Sequence, residues 1–288
     1  MSLKSLALIS TSIVALGFSA TASQAAGPMT MGRVDMGFTE WFDTYSAYYT
    51  STDYDYDYPS VTGMARVNIP YSDTVNLQLD VFGDASLDQG YFSGKGYDGG
   101  NFGFGGHINY REPDQGLIGI FAAVGRMWDW GYYNSPAVMV GLEGQYYCGH
   151  WTFYGQAGWM DVDTYGQQNS GFLRGLVSYY ASPRLKLSGG QAYIDGETGN
   201  PATADATAWA WEAGGEYWFG KSVPVAVTLR YQGRQSEVDW GSGEWYDLDT
   251  NEVTLGVSFF FGGDNLEDAD RTGTSTEIPN FDWFRTNW

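Results

Sequence analysis

Thr74-Val75-Asn76-Leu77-Gln78-Leu79-Asp80-Val81 alternates without a break: Val75, Leu77, Leu79 and Val81 fall on one side, Thr74, Asn76, Gln78 and Asp80 on the other. A period of two places successive side chains on opposite faces, so this octapeptide reads as a strand with one apolar and one polar face. The same period returns at Phe102-Gly103-Phe104-Gly105-Gly106-His107-Ile108, at Val138, Val140, Leu142 and Tyr146, at Trp209 to Phe219, and at Val253, Leu255, Val257 and Phe259. Between these runs stand breaks rich in Gly, Asp, Asn, Ser and Pro. Helical periodicity is hard to find beyond residue 31.

Working outward, the pattern predicts twelve strands, near 32–42, 60–70, 73–84, 101–110, 117–127, 136–147, 150–161, 171–181, 184–194, 208–219, 223–234 and 251–262. Runs of this length suit strands tilted through a bilayer, which need about 9–11 residues, whereas soluble strands favour about 5–6. The connections alternate, long at 43–59, 85–100, 128–135, 162–170, 195–207 and 235–250, and short between. Backbone in hydrocarbon must find its hydrogen bonds within the protein, so such a sheet must close on itself. The fold class expected is therefore all-β: a transmembrane antiparallel up-and-down β-barrel of about 12 strands over residues 26–262. The alternative is an exported soluble sandwich, whose Trp- and Phe-bearing faces would need a second sheet to cover them.

Residues 1–25 read as a cleaved signal peptide, with Lys4, an apolar run from Leu6 to Phe18 and the small-residue exit Ala22-Ser23-Gln24-Ala25. No later apolar stretch reaches the roughly 18 residues a spanning helix requires. Fourteen basic and 34 acidic residues give a net charge of −20, which argues against nucleic acid as a partner. The single cysteine, Cys148, precludes an internal disulfide.

The last strand closes on Thr254-Leu255-Gly256-Val257-Ser258-Phe259-Phe260-Phe261. Thr254, then Gly256 two places on, then Phe259 and Phe261, resembles the β-signal of Gram-negative outer-membrane barrels. The resemblance covers 26–262 as a porin-like barrel of no narrower family. It implies residence in the bacterial outer membrane among its lipids and lipopolysaccharide, and delivery by the barrel-assembly machinery. In most members of that class the signal ends the chain, but here an acidic, then aromatic segment follows at 263–288. A loosely ordered periplasmic tail is the plain expectation for it. The alternative is a segment that folds back against the barrel mouth.

If the apolar face meets lipid, the polar face lines a lumen. That assigns Arg66, Asp80, His107, Glu143, Arg174, Glu212, Glu216 and Arg230 inward, with Arg184, Lys186 and Arg234 beside them. A basic group facing lipid at mid-bilayer costs roughly 2–4 kcal/mol. Such a lumen is either a water-filled pore or a narrow space closed by cross-lumen charge pairs.

Asp53, Asp55 and Asp57 in the first long loop, and Glu237, Asp239, Glu244, Asp247 and Asp249 in the last, would draw cations to the mouth. The first group imitates a calcium loop but fails it, with Tyr58 in place of the glycine and Met64 in place of the final glutamate. Tyr110, Trp128, Trp130, Tyr146, Trp151, Trp159, Trp209, Trp218 and Tyr231 read as interfacial girdles. Gly103, Gly105 and Gly106 read as strand bending or close packing, since no helix follows to cradle a phosphate.

The only histidines, His107 and His150, lack a nearby serine in a recognisable elbow, and two histidines do not make a typical zinc site. No cofactor is implied and no enzymatic activity is expected. The expected function is a narrow, porin-like channel for small hydrophilic solutes. The alternative is a closed structural or surface-interacting barrel.

Overall fold

A computed structural model describes residues 30–47, 53–87, 99–129, 133–163, 168–198, 204–220, 222–239, 245–274, 277–279 and 281. The signal peptide expected at 1–25 lies outside these residues. Twelve strands are present: β1 Met31–Ala47, β2 Tyr54–Pro70, β3 Val75–Ser86, β4 Gly100–Glu112, β5 Gly116–Asp129 and β6 Tyr133–Cys148 form the first half. The second half is β7 Trp151–Val162, β8 Gln168–Ser182, β9 Leu185–Thr198, β10 Ala204–Trp218, β11 Val225–Asp239 and β12 Trp245–Phe261. Each pairs antiparallel with its sequence neighbours, and β1 closes on β12, so the sheet is a complete barrel.

The octapeptide that decides the fold lies mostly in β3, and its two faces separate as the period requires. Gln78 and Asp80 are buried inside, whereas Leu77 and Leu79 are exposed outside. The outer belt is apolar and unpartnered: Ile118 is 69 % exposed, Leu142 63 % and Leu173 62 %. Such a surface is stable against hydrocarbon and not against water.

Several strands run longer than expected, because polar alternation continues the ladder past the point where apolar alternation stops. Tyr54 to Tyr58, expected as loop, is strand, with Tyr58 opposite Trp41 and Asp57 opposite Phe42. The period of two then turns Asp53, Asp55 and Asp57 to the outside, where they are exposed. Glu237, Asp239 and Asp249 likewise face outward, on strand ends rather than in a loop, and Asp247 shares their side of β12. These acids therefore stand on the outer face of the long-loop end and not on its inner wall. Buried on the inner side at this end are Trp41, Tyr58, Val238 and Leu248. Glu244 and Trp130 lie outside the described residues.

Two further orientations differ from expectation. Arg184 sits exposed in the short β8–β9 turn and does not reach the lumen. Trp218 points inward, 4 % exposed, and packs against Phe260 instead of standing in the girdle. Tyr110, Tyr146, Trp151, Trp159, Trp209 and Tyr231 are exposed on the outer face.

The described residues after β12 form a short helix and an apolar contact inside the barrel, where a loosely ordered tail is the plain expectation. Asn265 caps a seven-residue helix, α1 (Leu266–Thr272), by accepting from the Asp268 amide. Helix α1 seats at the short-turn end, where the Leu266 amide donates to the Pro183 carbonyl. From there the chain enters the lumen. Ile278 reaches Gly105, and Phe281 reaches Phe82, Gly103 and Gly125, nearer the long-loop end.

Candidate functional site

The interior divides into an apolar part and a charged part. Phe82, Phe121, Met139, Met160, Phe172 and Ile194 point inward from β3 to β9 and form one buried cluster with Ile278 and Phe281. Large apolar residues are expected to face lipid, and these six are among those that face inward instead. Their presence follows from the tail, since its two apolar side chains need an apolar wall within the barrel. Room for them comes from missing side chains. A methyl at Gly105 would collide with Ile278, and one at Gly103 would come within 2.9 Å of Phe281. The glycine cluster is thus close packing, against the tail.

The eight residues assigned to the lumen all face inward. Arg66, Asp80, His107, Glu143, Arg174, Glu212 and Glu216 are buried, and Arg230 is partly exposed to internal space. They form two separate groups. In the first, the ring nitrogens of His107 stand 3.0 Å from Glu143 and 3.2 Å from Asp80. Tyr154 donates to Glu143 and Gln78 to Asp80. This network ties β3, β4, β6 and β7 together, and both histidine nitrogens face carboxylates instead of a hydroxyl nucleophile. His150, in the β6–β7 turn, pairs with Glu267 of α1 at 3.0 Å.

The second group joins the wall to the tail. Arg174 of β8 lies 2.8 Å from Glu212 and 2.7 Å from Glu277. Arg66 bonds Asp35 at 3.0 Å and approaches Glu277 at 4.0 Å. Arg33, which the sequence reading did not single out, bonds Asp35, Glu216 and Ser258 and lies over the Phe260 ring at 4.8 Å. Lys186 bridges Glu216 at 3.0 Å and Asp270 of α1 at 3.1 Å. Backbone contacts add to these, with Arg111 donating to the Gly273 carbonyl and Gln156 to that of Glu277.

Burial by itself would raise the Glu277 carboxyl, but Arg174, Arg230 and Arg66 outweigh it and hold it at about 2. Burial opposes the Asp270 charge in the same way, and Lys186, Tyr180 and Arg33 keep that carboxyl below its ordinary value. No sequence signal placed either acid in the lumen, since neither belongs to a strand whose alternation could be read.

The tail does not fill the charged side. A cavity of about 140 Å³ lies between it and the wall, and a second of about 120 Å³ adjoins Lys186 and Asp270. The two share Arg33, Arg66, Thr228, Arg230 and Glu277. A third, of about 20 Å³, lies beyond Gln232 at Arg234 and Trp41. Inward residues of β11, in the order Arg234, Gln232, Arg230 and Thr228, therefore line three consecutive cavities from the long-loop end inward. Arg66, Arg174 and Arg230 surround Glu277 on the lining of the first cavity.

At the closing seam, Thr254 hydrogen-bonds Thr39 at 2.8 Å and Gly256 lies opposite Gly37. Phe259 faces outward, and Phe261 packs against Val34 and Ala65. The residues that resemble an assembly signal thus also form the junction of the last strand with the first.

A closed antiparallel barrel with an apolar outer belt and a polar, ionised interior has the fold of the outer-membrane β-barrels. Among solved structures, the chain resembles an outer-membrane channel from Pseudomonas putida F1 with a TM-score of 0.54 at 13 % identity, over 83 % of this chain and 97 % of that one. It also matches the translocator domain of the autotransporter NalP from Neisseria meningitidis, at TM-score 0.47 and 11 % identity over 89 % and 96 % of the two chains. A Pseudomonas aeruginosa FadL homologue matches at 0.45 and 9 %, over 80 % and 90 %. At these identities the likeness is one of fold. No protein-family model matches the chain, and no curated protein matches it.

Proposed function

We propose that this protein is a narrow outer-membrane channel for passive diffusion of small hydrophilic solutes, with its own C-terminal segment as the constriction. The observation that carries the reading is the row of cavities along β11, lined by polar and charged wall residues, of which the two larger are also bounded by the tail. A barrel meant only as a scaffold gains nothing from unfilled, charge-lined space, since buried charges without partners are costly. The fold neighbour from Pseudomonas putida is itself described as a channel, which agrees with this. The exposed apolar belt would contact outer-membrane lipid and lipopolysaccharide. The Thr254, Gly256, Phe259 and Phe261 pattern would be read by the barrel-assembly machinery after export. The reading is non-enzymatic, supported by the carboxylate partners of both His107 nitrogens.

Planar-bilayer recording of purified protein, shown to be folded by its heat-dependent gel mobility, tests the proposal. Discrete, small ion-conducting steps are expected. Silence from folded, inserted protein would overturn it in favour of a closed structural barrel, a reading that the packing of Ile278 and Phe281 favours.

A further inference from the structure

Charges around the shared cavities separate by origin. The wall supplies five cations, Arg33, Arg66, Arg174, Lys186 and Arg230, against three carboxylates, Asp35, Glu212 and Glu216. The tail supplies the other two carboxylates, Asp270 and Glu277. Without the tail, this wall would carry two uncompensated positive charges in a confined space.

The cation side also has unused binding capacity. Arg230 borders both cavities and feels the Glu277 charge, yet makes no hydrogen bond or contact ion pair among the described residues. Arg66 Nε is buried without a hydrogen-bond partner in the protein. Guanidinium groups present planar forks of N–H donors that match a carboxylate. One carboxylate, that of Glu277, already sits among them with about 140 Å³ of space beside it.

We propose that the cluster of Arg66, Arg174 and Arg230 is a binding site for small carboxylate-bearing solutes, for which the Glu277 side chain is the built-in competitor. A solute carboxylate takes the place of the Glu277 carboxylate, and the tail loses its strongest polar hold on the wall at the same moment. The inference rests on the channel reading for the route by which a solute arrives. It adds the chemical class of solute and assigns the tail a role in admitting it.

Calorimetric titration of succinate into the full-length, detergent-folded protein tests this. Removal of a competitor raises apparent affinity by the inverse of the fraction of sites it left free, so with about one site in ten free, Glu277→Gln is expected to bind succinate about tenfold more tightly than the unaltered chain. Arg230→Ala, placed on Glu277→Gln, is expected to reverse that gain. Among the described residues Arg230 makes no contact pair, so its loss is expected to leave the barrel intact, and heat-dependent gel mobility checks this. Arg230→Gln replaces it should the alanine variant misfold.

Neutral succinamide is expected not to bind. Equal succinate affinity with and without Glu277, insensitivity to Arg230, or equal binding of succinamide would each overturn the proposal. Conductance without succinate binding would sink this inference alone. Succinate binding without conductance would sink the channel reading and leave the site standing.

Discussion

The Glu277 carboxylate lies 2.7 Å from the Arg174 guanidinium, 103 residues earlier in the chain, and this contact fastens the tail to the inner wall of the barrel. Arg174 also holds Glu212, so one buried cation serves a wall carboxylate and a tail carboxylate together. The arrangement makes the interior depend on few side chains, and the consequences can be measured.

Arg174→Ala should destabilise the folded protein. It strands Glu212 and weakens the hold on Glu277, and removal of one partner from a buried ion pair costs roughly 3–5 kcal/mol. The midpoint of urea unfolding, followed by heat-dependent gel mobility, should fall. An unchanged midpoint would mean that water already satisfies these carboxylates.

Gly105→Val should expel the tail without opening the barrel. The new side chain would occupy the place of Ile278, and overpacking of this kind costs about 1–3 kcal/mol. Limited proteolysis with mass analysis should show the segment beyond Phe261 trimmed about tenfold faster, with the strands intact. Equal trimming rates would mean that Ile278 contributes nothing to docking.

Acid should release the tail. The ordinary carboxyl values are 4.5 for Glu277 and 3.8 for Asp270, and both are lowered when docked. A lowered value means that the contribution to docking is complete above the ordinary one and is lost as pH falls through the docked one, which is about 2 for Glu277. Hydrogen exchange of the α1 amides, corrected for intrinsic rates, should be slow at pH 7 and accelerate between about pH 4.5 and 2. Protection that persists at pH 2 would show that the apolar contacts alone hold the segment.

A covalent lock should close the conduit. With Cys148→Ser to remove the native thiol, Gly105→Cys combined with Ile278→Cys places two thiols where the tail meets β4. Oxidation should abolish conductance steps and a reductant should restore them. Equal conductance in both states would mean that solutes pass with the tail fixed in place.

Much of the barrel was legible because alternation is a local property. Leu77, Leu79, Gln78 and Asp80 declare their faces within four residues, and each strand repeats the declaration. The reading stopped too early at Tyr54 to Tyr58, where the alternation is polar on one side and aromatic on the other, with no lipid-facing residue to mark it. Trp218, read as a girdle aromatic for its bulk, likewise stands at a place in the period that points inward. In both cases residue type was followed where periodicity was the better guide.

Period, length and connection pattern in the sequence by themselves determined twelve antiparallel strands, the closure of the sheet, and the inward placement of Arg66, Asp80, His107, Glu143, Arg174, Glu212, Glu216 and Arg230. Only the tertiary structure decided what those residues meet. A period of two reports which face a side chain occupies, but not what fills the space beyond it. The tail has no period to read, and Glu277 and Asp270 find Arg174 and Lys186 only after the closed barrel brings distant strands around a common interior.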